Sequence, residues 1–144
     1  MLPKILIIDD CSMKREKIIK CIHKNFGEFS FDIDTAHYAN QGMNKVNTVL
    51  KNNLPFYDFI FCDMNMPILS DTMAIPDAGL RVLSKFKRYE KRFDFKILDK
   101  VHVISSSETL KEDLEAIRLP DVPYVKYSSS SSSWHDAICN FISK

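Results

Sequence analysis

Four short apolar runs, each closed by a polar side chain, set the limits on how this chain folds. Lys4-Ile5-Leu6-Ile7-Ile8 ends in Asp9-Asp10, and Tyr57-Asp58-Phe59-Ile60-Phe61-Cys62 ends in Asp63. Val101-His102-Val103-Ile104 ends in Ser105-Ser106-Ser107, and the brief Tyr124-Val125 ends in Lys126. Apolar runs without polar alternation read as strands buried on both faces, the habit of parallel sheets. Between them the apolar residues fall at helical spacing: Ile18, Ile19 and Ile22 within 12–24, Met43, Val46 and Leu50 within 40–51, and then Leu80, Val82, Leu83 and Phe86. Leu110, Leu114 and Ile117 repeat the pattern, as do Trp134, Ile138 and Phe141. A further run, 29–33, alternates with period two and suits a strand nearer the sheet edge. Five strands and five helices in alternation predict an α/β domain built on a parallel sheet.

The bulk composition excludes several classes. A chain of 144 residues forms one domain, able to bury about 68–70% of its unfolded surface without staples. A formal net charge of +1 offers no general attraction to nucleic acid or to an anionic membrane. No apolar stretch approaches the roughly 20 residues that span a bilayer, and the amino terminus lacks the shape of a signal peptide. Cys11, Cys21, Cys62 and Cys139 are scattered without a Cys-x-x-Cys pair. That spacing suits reduced thiols, so a cytoplasmic location is expected. Residues 68–79 form an enlarged loop after the third strand. Ser128 to Ser133 form a solvated connection with Ser133 as a helix cap, and Thr109-Leu110-Lys111-Glu112 has the form of a capping box.

If the strands lie side by side, their carboxyl ends gather Asp9, Asp10, Asp63, Ser105 and Lys126 at one edge. Three carboxylates share a small site only when something offsets their repulsion. A hard divalent cation does so, and Mg²⁺ prefers a few carboxylates with waters and phosphate oxygens. Lys126 brings a compact positive charge and Ser105 a hydroxyl able to donate to a phosphoryl oxygen. The set fits phosphoryl transfer onto a carboxylate, with Asp63 as nucleophile.

On these residues the chain resembles the receiver domain of two-component response regulators. Lys4 to Asp10 looks like the family's first strand with its acid pair, and Phe59 to Pro67 like the strand bearing the phosphoacceptor. Val103-Ile104-Ser105-Ser106 holds the place of the hydroxyl residue and its small neighbour. Tyr124-Val125-Lys126 holds that of the switch aromatic and the lysine. The resemblance implies a flavodoxin-like (βα)5 sheet, doubly wound, in the order 2-1-3-4-5, with all 144 residues as one receiver and no effector domain. It implies that Mg²⁺ or Mn²⁺ is held by Asp10, Asp63 and the Asn65 backbone carbonyl, with Asp9 acting through water. It implies phosphorylation of Asp63 by a histidine kinase or a histidine phosphotransfer protein. Ser105 and Tyr124 would then switch, and a separate target would read the face formed by the fourth helix, fifth strand and fifth helix.

Four features depart from the family's pattern. Tyr127 follows Lys126 where a proline is usual, and the gap from Pro67 to Gly79 is longer than the usual turn. Tyr124 precedes the lysine by two positions instead of three, and Ser105-Ser106 replaces the commoner threonine-alanine pair. These departures motivate an alternative, a receiver-like interaction module that works without phosphorylation. A phosphohydrolase using an aspartyl phosphate is disfavoured, because Asn65 stands where a general acid is needed.

Overall fold

The computed structural model describes residues 1–144. Its elements are β1 (Lys4–Ile8), α1 (Ser12–Phe26), β2 (Asp32–Ala36), α2 (Ala39–Lys51), β3 (Phe59–Cys62), β4 (Met66–Pro67), β5 (Ala74–Ile75) and α3 (Ala78–Phe93). After a short helical turn at Leu98–Lys100 come β6 (Val101–Ser105), α4 (Leu110–Ala116), β7 (Tyr124–Lys126) and α5 (Trp134–Ser143). Five strands form one parallel sheet in the order β2-β1-β3-β6-β7. Counted along that sheet alone, this is the expected 2-1-3-4-5 order of a doubly wound, flavodoxin-like fold.

Strand alternation divides the buried side chains between two cores. Leu6, Ile8, Ile60, Cys62, Val101 and Val103 face the larger core, shared with α2, α3 and α4. Ile5, Ile7, Phe61 and Ile104 face the smaller core, shared with α1 and α5. With both faces covered, polar alternation has no place in the central strands. Each fully buried Ile, Leu or Phe contributes about 1.5–3 kcal/mol relative to leaving it in water. Cys62 packs within the larger core, where burial pushes its thiol well above the ordinary range. His102 stacks edge-on against Phe141 with ring centres 5.1 Å apart, and burial lowers its imidazole's affinity for a proton.

Several local expectations shift. The second strand lies at 32–36 rather than 29–33. Phe29 is exposed, and Phe31 sits before the strand with its ring edge-on to Phe26 and Phe59. The segment 68–79 is partly ordered as a small antiparallel hairpin, with Met66 opposite Ile75 and Pro67 opposite Ala74. Thr109 makes no capping bond; its hydroxyl donates to the Asp113 carboxylate at 2.9 Å instead. Ser133 makes none either. The Trp134 indole N–H donates to the carbonyls of Ser131 at 3.0 Å and Ser128 at 3.3 Å, which seats the serine run over the start of α5.

Candidate functional site

Register between the two central strands builds the acidic edge. Ile8 lies opposite Cys62, and the Asp63 amide donates to the Ile8 carbonyl at 3.0 Å, so Asp9 and Asp63 leave the sheet side by side. Strand order reverses here, with β2 on one side of β1 and β3 on the other, which opens a crevice at the carboxyl ends. One carboxylate oxygen each from Asp9, Asp10 and Asp63 lies within 4.8 Å of the others. Asp9 and Asp63 are buried, and Asp10 is exposed. The cleft above them has a volume of about 690 Å³, and its walls include Asp10, Asp63, Asn65 and Ser106.

Backbone contacts hold the acids in place. Asp9 accepts the Cys11 amide at 2.9 Å through Oδ1, and Arg15 Nη1 donates to the Asp9 carbonyl at 2.7 Å. Asp63 Oδ1 accepts the Met64 amide at 2.7 Å. The Gly79 amide, in the first turn of α3, donates to the Met64 carbonyl at 2.9 Å. A Cβ on residue 79 would stand 2.2 Å from the Asp63 carbonyl oxygen and 2.7 Å from Met64 Cα. Only glycine lets α3 approach the acceptor strand this closely.

A residue outside the expected set completes this edge. Lys14 is buried, with its ammonium 2.7 Å from Asp9 Oδ2, 3.3 Å from Asp63 Oδ2 and 2.6 Å from the Ile104 carbonyl oxygen. The ring of Tyr127 covers it, with its centre 5.1 Å from Nζ. Burial raises the Asp9 carboxyl to about 6; the Lys14 charge pulls it down and the Asp63 charge pushes it up further. A signal for Lys14 exists in the sequence. It shares the buried stripe of α1 with Ile18, Cys21 and Ile22, a lysine at an apolar position one turn after the acid pair.

The C-terminal contributors are placed differently. Lys126 is half exposed and its ammonium bonds Glu108, so the structure does not bring it to the acids. The Lys126–Tyr127 peptide, like every other, is trans. Ser105 is buried, and its hydroxyl accepts the Ser107 amide at 3.3 Å, while the cleft wall is formed by Ser106. Tyr124 is 42% exposed on the outer strand. Of the loop acids, Asp77 pairs with Arg81 at 3.6 Å, and neither it nor Asp71 lines the cleft.

Three clustered carboxylates beside an exposed backbone turn at Asn65 form a hard-oxygen donor set of the kind a small divalent cation takes. No family model matches the chain, and no curated protein matches it. Solved structures do resemble it over most of their length. The bacteriophytochrome response regulator AtBRR aligns with a TM-score of 0.70 at 14% identity, covering 99% of this chain and 94% of that one. The fold is the receiver fold. The Mn²⁺-bound form of the response regulator Rcp1 aligns with a TM-score of 0.64 at 14% identity, covering 98% and 92% of the two chains. The phosphorylated cyanobacterial phytochrome response regulator RcpA aligns at 0.68 and 19% identity, covering 97% and 91%. The acid cluster stands at the crevice of this receiver fold, and no helix is long and apolar enough to cross a membrane.

Proposed function

We propose that residues 1–144 act as one receiver of a two-component or phosphorelay system, accepting a phosphoryl group on Asp63 from a histidine kinase or a histidine phosphotransfer protein. The observation that carries this reading is the convergence of Asp9, Asp10 and Asp63 within 4.8 Å at the crevice of a receiver fold. Asp10, Asp63 and the Asn65 carbonyl would hold Mg²⁺ or Mn²⁺, with Asp9 contributing through water. When bound, the cation offsets negative charge on the transferring group. Asp63 is the nucleophile, held by the Met64 amide at 2.7 Å so that its carboxylate is already oriented.

The phosphoryl group brings nearly two negative charges as the Asp63 carboxylate gives up its own, so the cleft gains about one net negative charge and new acceptor oxygens. Ser105 turns its hydroxyl toward them, and Tyr124 repacks from its exposed position. The face of α4, β7 and α5 then differs between the two states, and a separate protein target in the cytoplasm reads it. The chain is a signalling phosphoacceptor, with Asn65 unable to act as the general acid of a phosphohydrolase. Incubation with acetyl phosphate and Mg²⁺ is expected to add one phosphoryl group by intact mass, and Asp63→Asn is expected to abolish the gain. A silent Asp63 in the folded, Mg²⁺-loaded protein overturns this reading and favours a phosphorylation-independent interaction module.

A further inference from the structure

We propose that Lys14, from the first turn of α1, supplies the ammonium that meets the phosphoryl group at Asp63, in the place where the family resemblance puts Lys126. This rests on the reading of Asp63 as phosphoacceptor. A buried ammonium is costly unless each of its three N–H donors finds a partner. Lys14 has three: Asp9 Oδ2 at 2.7 Å, Asp63 Oδ2 at 3.3 Å and the Ile104 carbonyl at 2.6 Å. These acceptors come from the ends of β1, β3 and β6, so the charge is centred over the sheet edge where the acids meet.

The division of labour on Asp63 is specific. Oδ1 is held by the Met64 amide at 2.7 Å, and Oδ2 faces Lys14 at 3.3 Å. With acetyl phosphate, a phosphorus–oxygen bond to Asp63 forms as the bond to acetate breaks, and acetate leaves with the bonding pair. No proton has to move. Negative charge on the transferring oxygens arrives beside Lys14, which exchanges its longest contact, the one to Asp63, for a phosphoryl oxygen. Its shorter bonds to Asp9 and Ile104 keep it in position, with the Tyr127 ring centre 5.1 Å away.

Lys126 is engaged elsewhere, and strand alternation gives the reason. Val103 faces Tyr124 and Ser105 faces Lys126 across the β6–β7 ladder, so Tyr124 and Lys126 share one face of the sheet. Tyr127 belongs to the opposite face, in the core of α1 and α5, where it stacks on Trp134 with ring centres 5.3 Å apart. The position after the lysine therefore supplies a wall for Lys14, with Lys126 directed to Glu108.

The test uses the full chain with Lys14→Met and Lys126→Met, both checked for folding by thermal melting. Two quantities are read: the rate of Asp63 phosphorylation by acetyl phosphate in Mg²⁺, and the Mg²⁺ dissociation constant by calorimetry without any donor. Lys14→Met is expected to slow phosphorylation on the order of a hundredfold, yet to bind Mg²⁺ several-fold tighter, because Asp9 and Asp63 lose their internal cation. Lys126→Met is expected to change neither by more than about twofold. A rate that falls while the affinity for Mg²⁺ rises is the signature, since losing a purely structural lysine would lower rate and affinity together. If Lys14→Met does not fold, Lys14→Gln, which keeps a shorter stem and an uncharged donor, is read in the same way. Rate and affinity falling together, or loss of phosphorylation in Lys126→Met with Lys14→Met unchanged, overturns the assignment. If the unsubstituted protein takes no phosphoryl group, the reading of Asp63 fails, and the Mg²⁺ titration still judges Lys14: unchanged or weaker binding in Lys14→Met sinks it.

Discussion

The two sides of the cleft are built on different principles. On one side, β1, β3 and α1 deliver Asp9, Asp63 and Lys14 as a buried set bonded to one another and to backbone amides. On the other, β6 and β7 deliver Ser105, with its hydroxyl engaged by Ser107, and Lys126, paired in the open with Glu108. The first side stands on central strands with neighbours on both edges. The second ends on β7, three residues long with a single neighbour. A residue fixed by two ladders has little choice of direction, whereas in a short edge strand one residue more or less moves every side chain to the other face.

Gly79 offers the sharpest way to break that contrast, because it carries the acid side's tight packing. Gly79→Ala would drive a Cβ to 2.2 Å from the Asp63 carbonyl oxygen, a backbone group that cannot swing away. The expected loss is about 3 kcal/mol in urea denaturation, with Asp63 phosphorylation impaired even in the folded fraction. Ser132→Ala, in the exposed serine run between β7 and α5, is expected to stay within about 0.5 kcal/mol. Equal effects at the two positions would mean that the sides are not packed differently after all.

The same contrast explains what was legible beforehand. The fold could be read because Ile5–Ile8, Ile60–Cys62 and Val101–Ile104 are buried on both faces, and no helix period fits runs so short and apolar. The meeting of the three acids followed from strand order. Lys14 was hidden by chemistry, since a lysine in a helix rich in lysines reads as solvated. Only its phase on the stripe of Ile18, Cys21 and Ile22 sets it apart. The outward turn of Lys126 was implicit in spacing. Residues three apart on a strand face opposite ways, but Tyr124 and Lys126 are two apart and share a face. The start of β2 was misplaced because Phe29 and Phe31 mimic a strand's period while Phe29 lies in solvent and Phe31 serves the turn.

Titration separates the sides next. Asp9, with its carboxyl raised to about 6 mainly by burial, holds a proton in the fold at a pH where a free aspartate has lost it. A cation at the acid cluster needs the charged form, so proton and metal compete. Lowering the pH from about 7.5 to about 5 is expected to weaken Mg²⁺ binding about tenfold, with the bend near the Asp9 value. Calorimetry across that range checks it, and an affinity flat between those limits would show that Asp9 is ionised throughout.

The smallest expected effect belongs to that exposed pair. Lys126 and Glu108 are 54% and 78% exposed, and water screens most of the attraction between such charges. A double-mutant cycle on Lys126→Ala and Glu108→Ala is expected to give a coupling below about 1 kcal/mol, shrinking further in high salt as the Debye length contracts. The buried contacts of Lys14 lack that escape, since removing one partner strands a charge among low-dielectric neighbours. A coupling at Lys126 that is large and indifferent to salt would place its ammonium in a dry environment. The edge strand would then hold its lysine as tightly as α1 holds Lys14, and the distinction between the two sides of the cleft would fail at the position where it is most exposed to measurement.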